Sequence, residues 1–312
     1  MKKTVTIAIP VYNGEKYILE ALQSAIDQTL KADKIFICDN CSNDNTVAIV
    51  NTFITDHSAY DIELSINDEN IGFQQNFYKC FELSKTDYLV VLHADDVLKP
   101  DTLEKQLNFF YKHKELAVVG GNVDTIDAVG NVITKSKETK DIIFKRNEIL
   151  EFIKTTRSYI PETTIMYDLK MTSDISQNKE ESLGPEELYW PVLLQKHSMA
   201  VLGDSLIYNR IHDDQLHLSY GANKFEKYKK HFKDLLELAN LERGEERKRK
   251  TRKILIKQVS LVSINIGNDL IDSGKHRGIA LKYYLCGVNI NYGIIFTKYF
   301  LKSMLKAIGL YN

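Results

Sequence analysis

Two hydrophobic patterns alternate over the first hundred residues. Short, largely apolar runs occupy residues 4–10, 34–38, 62–67 and 88–92. The run at 88–92 is unbroken by charge, and such a run predicts a strand that is covered on both faces of a mostly parallel sheet. Between the runs, apolar residues recur at helical spacing. The predicted buried faces of these helices carry Ile18, Leu22, Val50, Phe53, Phe77 and Phe81. Alternating strands and helices predict a doubly wound α/β fold.

The alternation loosens beyond residue 100. The apolar pattern there predicts a helix containing Leu103 and Phe110, then elements at residues 117–121 (strand), 122–133 (short strands), 146–156 (helix), 163–167 (strand), 186–195 (helix) and 206–212 (strand). After residue 220 the sequence becomes helical and basic. We therefore expect the two halves of one α/β domain at residues 1–97 and 98–220, followed by a helical region at 221–312.

Polar loops follow three of the first four predicted strands. Their sequences are YNGE, DNCSND and HADD, and the carboxyl ends of parallel strands meet at one edge of a sheet, where ligands bind. The last loop contains Asp95 and Asp96, two adjacent carboxylates that repel each other unless a cation or a donor-rich ligand is present. A solvated turn or a helix cap is the structural alternative, since Lys99, Pro100 and Asp101 follow.

Charge and composition exclude several classes of protein. The 41 basic and 42 acidic residues leave no net field that would attract nucleic acid. Four scattered cysteines are too few for a disulfide scaffold, and no second close pair follows Cys38 and Cys41, which disfavours a zinc or redox role. The sequence shows neither a signal peptide nor an apolar run of about 18 residues. We therefore expect a cytoplasmic protein.

The chain lacks the glycine-rich motifs that hold nucleotide phosphates. Neither GxxxxGK[ST] nor GxGxxG occurs, so a bound nucleotide diphosphate is expected to use a bridging metal ion, for which the adjacent carboxylates are suitable ligands. His212 and the pair Glu186 and Glu187 are less informative alone. Taken alone, such a histidine is more often structural or at the surface, and an acidic pair at a helix start is usually a cap that stabilises the helix dipole.

The order of the motifs is more specific than any one of them. PVYNGE, CDNCSNDNT, NxGxxxN, YLVVLHADD, an acidic pair before Trp190 and YNRIH follow one another between residues 4 and 219. This series resembles glycosyltransferase family 2. The resemblance implies a GT-A (Rossmann-like) fold and an inverting glycosyltransferase that uses a nucleotide-sugar donor, most typically a UDP-sugar, with Mn²⁺ or Mg²⁺. The helical C-terminal extension is expected from the sequence pattern and not from the resemblance.

By the same resemblance, three loops would hold the donor. The matching residues are Pro10, Tyr12, Asn13, Glu15, Asp39, Asn40, Ser42 and Asn76. Tyr12 would lie against the base. Asn40 stands where many members have an acid, so the ring N–H of a uracil would be recognised either by an amide oxygen or by Asp39. Gln74 and Gln75 replace an arginine that is often found beside the asparagine at position 76.

The strand-end motif would supply the metal site. His93 takes the place of the family's first acid, Asp95 would face the ribose, and Asp96 would bind the metal together with His212. Carboxylate and imidazole ligands suit Mn²⁺ as well as Mg²⁺.

The acidic pair would supply the catalytic base. Counting back from Trp190 slightly favours Glu186 over Glu187. A carboxylate can accept the proton of a sugar hydroxyl as the new bond forms, and a single base implies single displacement with inversion. The expected acceptor is a glycan or a lipid-linked glycan in bacterial surface polysaccharide synthesis. The changes at Asn40, Gln75 and His93 also fit a non-catalytic module that binds a nucleotide sugar or a glycan.

The C-terminal residues 292–310 form a predicted amphipathic helix. Lys298, Lys302 and Lys306 lie four residues apart and are surrounded by aromatic and aliphatic residues. This pattern predicts either peripheral contact with an anionic membrane, at the inner face of the cell membrane, or packing on the catalytic domain or a second subunit.

Overall fold

The computed structural model describes residues 3–156, 160–173, 190, 193–212, 244–254 and 256 of the 312-residue chain. The chain divides into two compact units. One contains residues 1–146, 160–183 and 196–212, and the other contains residues 147–159, 184–195 and 213–312. The domain boundaries expected after residues 97 and 220 stay predictions. Most of the predicted C-terminal helical region, including residues 292–310, lies outside the described residues, but residues 245–254 are helical.

The first half of the chain alternates between strands and helices, as predicted. Its elements are β1 (Val5–Val11), α1 (Ile18–Ile26), β2 (Lys34–Asp39), α2 (Thr46–Asp56), β3 (Ile62–Ile66), α3 (Phe73–Leu83) and β4 (Tyr88–Val91). These four strands lie in the order β3-β2-β1-β4 and are all parallel. Their carboxyl ends therefore share one edge of the sheet.

The second half extends the same sheet. Its elements are β5 (Val97–Leu98), α4 (Thr102–Lys112), β6 (Leu116–Ile126), β7 (Val132–Thr134), β8 (Ile142–Phe144), α5 (Ile149–Thr156), β9 (Met166–Asp168) and β10 (Ser198–Arg210). The order continues as β4-β9-β6-β10-β5. Strand β9 is antiparallel to β4 and β6, whereas β6 and β10 are parallel. The expected mostly parallel sheet with flanking helices is confirmed.

Three predictions differ from the structure. Strand β6 runs on to Ile126, into the region 122–133 for which short strands were expected, and β7 follows at Val132–Thr134. Residues 162–164 form a 3-10 turn, and strand β9 begins only at Met166. The last strand begins at Ser198, well before its predicted start at residue 206, because Gly203, Asp204 and Ser205 interrupt its apolar pattern where its register with β6 shifts. The predicted loop at 171–184 and helix at 186–195 lie mostly outside the described residues, although residues 190 and 193–195 are helical.

Strand β1 is the centre of the core. All seven of its residues are buried, and it lies between β2 and β4. Helix α1 packs its apolar face, with Ile18 and Leu22, into the same core cluster. Burial on both sides explains why β1 and β4 are continuous apolar runs. None of the described helices is long and apolar enough to cross a bilayer.

Gly203 is required where β10 passes the chain at residue 139. A β-carbon at position 203 would lie 1.8 Å from the carbonyl oxygen of Thr139, which is backbone and cannot rotate away. We therefore expect Gly203→Ala to lower the free energy of unfolding by about 1–3 kcal/mol, as overpacking of a core does. Chemical denaturation measures this change.

Ser205→Ala, two residues along the same strand, is the matched control and should change the stability by less than about 0.5 kcal/mol. Equal stability of Gly203→Ala and wild type would show that the chain at residue 139 does not approach β10 this closely in solution.

Candidate functional site

The loops that follow β1 and β2 are joined by hydrogen bonds. The backbone N–H of Asn13, which has a left-handed φ of 53°, donates to Ser42 Oγ at 2.9 Å. Glu15 Oε2 accepts from the backbone N–H of Asn45 at 3.0 Å and from its side-chain amide at 2.7 Å. Ser42 and Glu15 therefore hold the two loops together. Tyr12 remains 48% exposed at this edge of the sheet.

Asp39 and Asn40 are both buried at the end of β2, but only one of them has a side-chain oxygen without a hydrogen-bond partner among the described residues. Asp39 Oδ2 accepts from the backbone N–H of Ser42 at 2.9 Å, and its buried Oδ1 has no hydrogen-bond partner among the described residues. Asn40 Oδ1 accepts from Asn67 and from the backbone of Ile71, both at 3.0 Å. The unused acceptor at this strand end therefore belongs to Asp39.

Asn76 lies behind these loops. Its side-chain amide donates to the carbonyl of Cys38 at 2.8 Å, and its Oδ1 accepts from Asn67 Nδ2 at 3.0 Å. Pro10 is buried in β1, where its register partner is Cys38. Both residues therefore lie next to Cys38, just before the loop that follows β2.

Asp95 faces His212 across the edge of the sheet. The distance from Asp95 Oδ2 to His212 Nε2 is 3.1 Å, although the residues are 117 positions apart in the sequence. The side chain of Asp95 is 31% exposed and that of His212 is 10% exposed. This pair is therefore accessible to a small ligand or ion.

Asp96 is buried beside this pair. Its carboxylate accepts hydrogen bonds from Thr163 Oγ1 at 2.9 Å, from Asn209 Nδ2 at 3.0 Å and from the backbone N–H of Arg210 at 2.9 Å. Burial raises the pKa of Asp96 to about 6, and the nearby His93 opposes that rise. The structure thus places Asp95 against His212 and surrounds Asp96 with protein donors.

Arg210 holds this part of the site in position. The buried guanidinium forms an ion pair with Glu20 at 2.6 Å, lies 4.7 Å from the ring centroid of Tyr17 and donates to the carbonyl of Asp95 at 2.9 Å. The ring of Tyr17 is in turn 4.8 Å from that of His212. One arginine therefore orients both the loop of Asp95 and the aromatic ring that packs on His212.

His93 lies close to Asp96, and Glu162 lies close to His93. His93 Nδ1 lies 4.0 Å from Asp96 Oδ2, and its ring meets the edge of Phe73 at 5.7 Å between centroids. Glu162, on the 3-10 turn, is close enough to His93 for a charge interaction. Burial raises the pKa of Glu162 to about 7, an effect that His93 opposes.

The residues present fit a divalent cation. The ligand atoms of His93, Asp95 and Asp96 lie within 4.8 Å of one another, and His212 adds a second imidazole next to Asp95. Carboxylate oxygens with one imidazole form a ligand set that suits Mn²⁺ or Mg²⁺. Glu186 and Glu187 lie outside the described residues, so the position of the base stays a prediction.

Several residues of the site could not be recognised in the sequence. Thr163 and Asn209 bind Asp96, while Tyr17 and Glu20 bind Arg210. Tyr17 and Glu20 look like ordinary residues of a helix, Thr163 like a strand residue, and Asn209 lies inside the YNRIH motif without a role of its own. The one available signal was helical spacing, since Tyr17 and Glu20 are three residues apart and share a face of α1.

Fold and site together define a class of protein. The mostly parallel α/β sheet carries an exposed tyrosine ring, carboxylates and imidazoles at the carboxyl ends of its strands, where open α/β sheets bind their ligands. Residues 6–174 match the model of glycosyl transferase family 2. The chain therefore belongs to this family.

Known proteins agree with this assignment. The chain is 35% identical to the chondroitin synthase of Escherichia coli over 130 residues, which are 42% of this chain and 18% of that protein. It is 24% identical to an uncharacterized glycosyltransferase of Haemophilus influenzae over 72% of this chain and 71% of that one. The structure of residues 1–349 of S. aureus TarS in complex with UDP-GlcNAc aligns with 99% of this chain and 89% of TarS, with a TM-score of 0.63 and 17% identity.

The raised pKa of Asp96 predicts a pH dependence of stability in metal-free protein. The folded state keeps a proton on Asp96 up to about pH 6, whereas the unfolded chain loses it near pH 4, since the ordinary pKa of an aspartate is about 3.9. Stability from this group is therefore present at low pH and is lost as the pH rises from about 4 through 6. We expect the melting temperature of wild type minus that of Asp96→Asn, measured in EDTA, to decrease over this range.

Asp204→Asn is the control, because Asp204 is an exposed carboxylate on the same strand, paired with Lys105 at 2.7 Å. A difference between wild type and Asp96→Asn that is constant with pH would contradict the assignment of a raised pKa to Asp96.

Proposed function

We propose that this protein is an inverting, metal-dependent glycosyltransferase that moves a sugar from a UDP-sugar to a glycan or lipid-linked acceptor. The observation that carries the proposal is the pair of Asp95, which is partly exposed, and His212 at the carboxyl edge of the sheet. Ligands of open α/β sheets bind at this edge.

Asp39 is the proposed recognition group for the base. Its buried Oδ1 has no partner among the described residues, and a buried carboxylate oxygen without a donor is costly until a ligand supplies one. The ring N–H of uracil is such a donor, and the exposed ring of Tyr12 offers a face for stacking. The TarS complex with UDP-GlcNAc supports a UDP-sugar donor on the same fold.

The metal would be held by Asp95 and His212. Geometry favours Asp95 over Asp96, because Asp96 already accepts hydrogen bonds from Thr163, Asn209 and Arg210. When bound, Mn²⁺ or Mg²⁺ would offset the negative charge that develops on the leaving diphosphate. Asp96 would act as a support for the loop, and Arg210 would fix the carbonyl of Asp95.

The proposed catalytic base comes from the acidic motif before Trp190. Glu186, or its neighbour Glu187, would accept the proton of the acceptor hydroxyl as the glycosidic bond forms on the opposite side of the anomeric carbon. The similarity to a bacterial chondroitin synthase supports a polysaccharide as the product. We place the reaction in the cytoplasm, with the predicted amphipathic helix at residues 292–310 as a contact to an anionic membrane.

The catalytic proposal is favoured over a non-catalytic binding module. The amide at Asn40 is used within the protein, and the imidazole at His93 packs against Phe73. Neither departure from the family pattern removes the acceptor on Asp39 or the pair of Asp95 and His212.

The metal site can be tested by hydrolysis of a panel of UDP-sugars with Mn²⁺ and after treatment with EDTA. We expect hydrolysis that needs the metal, and a loss of roughly 100-fold or more in Asp95→Ala and His212→Ala, because either change removes a ligand. Asp204→Ala should keep the wild-type rate.

The same assay distinguishes the two carboxylates. If Asp95→Ala keeps its metal-dependent rate while Asp96→Ala loses it in a folded protein, the ion is bound by Asp96, as the family motif suggested. If wild type binds UDP but hydrolyses none of the UDP-sugars in the presence of metal, the result would support the non-catalytic module.

Base recognition predicts a difference between uracil and cytosine nucleotides. Position 3 of uracil carries a hydrogen and that of cytosine does not, so the carboxylate of Asp39 should favour UDP over CDP. We expect Asp39→Asn to weaken UDP binding by about tenfold or more, as loss of a charge-assisted hydrogen bond does, and to change CDP binding much less. Calorimetric titration of both nucleotides measures the ratio.

Asn43→Ala, in the same loop, serves as the control variant. A ratio of UDP to CDP affinity that Asp39→Asn leaves unchanged would show that Asp39 does not contact the base.

A further inference from the structure

A cavity of about 290 Å³ lies at the opposite edge of the sheet from the proposed catalytic site. Its lining includes Tyr88, the first residue of β4, and Asp168, the last residue of the antiparallel strand β9 and the register partner of Tyr88. The catalytic loop follows the other end of β4. The cavity is therefore separate from the donor and metal groups.

Aromatic side chains and lysines dominate the lining. The rings of Tyr88 and Phe110 are buried and pack with 4.7 Å between their centroids, while Tyr111 is 44% exposed. Lys114 and Lys170, both exposed, also line the cavity. A concave surface with apolar walls and a cationic rim concentrates anions.

The lysines differ in how far they are already paired. Lys3 Nζ bonds to Asp87 at 2.6 Å and lies 5.9 Å from the ring centroid of Tyr88. Lys114 and Lys170 make no ion pair or hydrogen bond with the residues that the structure describes. Two ammonium groups therefore remain available to a ligand, against the single lining carboxylate of Asp168.

We propose that this cavity binds an acidic sugar residue, a hexuronate, within a glycan chain. The volume is at the lower end of the range for ligand pockets, which is typically about 300–1,000 Å³, so a single ring fits better than a nucleotide. The exposed ring of Tyr111 offers an apolar face to the C–H groups of a sugar. The two lysines match one carboxylate, and Asp168 can accept hydrogen bonds from sugar hydroxyls while disfavouring a polyphosphate.

Such a site would change how the enzyme handles a long glycan. A chain held at one edge of the sheet keeps its other parts near the protein, which raises their effective concentration at the catalytic edge. The proposal goes beyond transfer itself, because binding at this cavity can be measured without turnover.

The proposal is tested by calorimetric titration of the full chain with a hexasaccharide that contains glucuronate. The matched ligand is the same hexasaccharide with its carboxyl groups reduced to alcohols. We expect the reduced form to bind at least tenfold more weakly, and the double variant Lys114→Ala, Lys170→Ala to weaken binding of the acidic form by at least tenfold. Tyr111→Ala should weaken binding of both forms.

Lys112→Ala is the control variant, because Lys112 is exposed next to Tyr111 in α4 and does not line the cavity. It should change the affinity by less than twofold, and all variants should retain wild-type hydrolysis of the UDP-sugar and wild-type melting temperature. Loss of hydrolysis in wild type would count against the proposed function and not against this site.

Three results would overturn the inference. The acidic and reduced hexasaccharides could bind equally well, or the double lysine variant could bind as wild type does. Alternatively, inorganic phosphate at the concentration of the sugar could displace the hexasaccharide, which would identify a general anion site instead of a sugar site.

Discussion

The arrangement of the site depends on the burial of one cation. The guanidinium of Arg210 is fully buried, and a buried charge is strongly destabilising unless it is paired and hydrogen-bonded. Its partners come from separate parts of the chain: the carboxylate of Glu20 in α1, the carbonyl of Asp95 after β4, and the carbonyls of Asp127 and Ala128 after β6. These segments must all be in place before the arginine is satisfied. Folding of the sheet and assembly of the site are therefore one process.

The same strand end gives two adjacent carboxylates different environments. The backbone N–H of Arg210 and the amide of Asn209 bind Asp96, which is buried and has a raised pKa. Asp95, one residue earlier, is half-exposed and faces His212. Strand β10 thus gives Asp96 several protein donors and leaves Asp95 partly exposed. The pair of acids in the sequence has no such distinction.

Sequence reasoning predicted the first half of the fold because burial on both faces makes β1 and β4 continuous apolar runs. It failed in the first half of β10, where close backbone contact requires Gly203 and the polar residues after it interrupt the apolar pattern. It assigned the metal to Asp96 by resemblance alone, because the exposure of Asp95 and Asp96 is set by residues such as Asn209 and His212 that are more than 110 positions away. Local patterns determine the elements, whereas contacts distant in sequence determine which side chains remain free.

The amide at Asn40 shows how a departure from a family pattern can be structural. Its Nδ2 donates to Asn70 Oδ1 at 2.9 Å, and that same oxygen accepts from the backbone of Gly72 at 2.9 Å. In this chain the amide of Asn40 matches the acceptor that Asn70 Oδ1 presents, which an aspartate at position 40 could not do in the same geometry. With position 40 committed to this contact, Asp39 is the remaining carboxylate at the strand end. The substitution is therefore compatible with the proposed recognition of the base by Asp39.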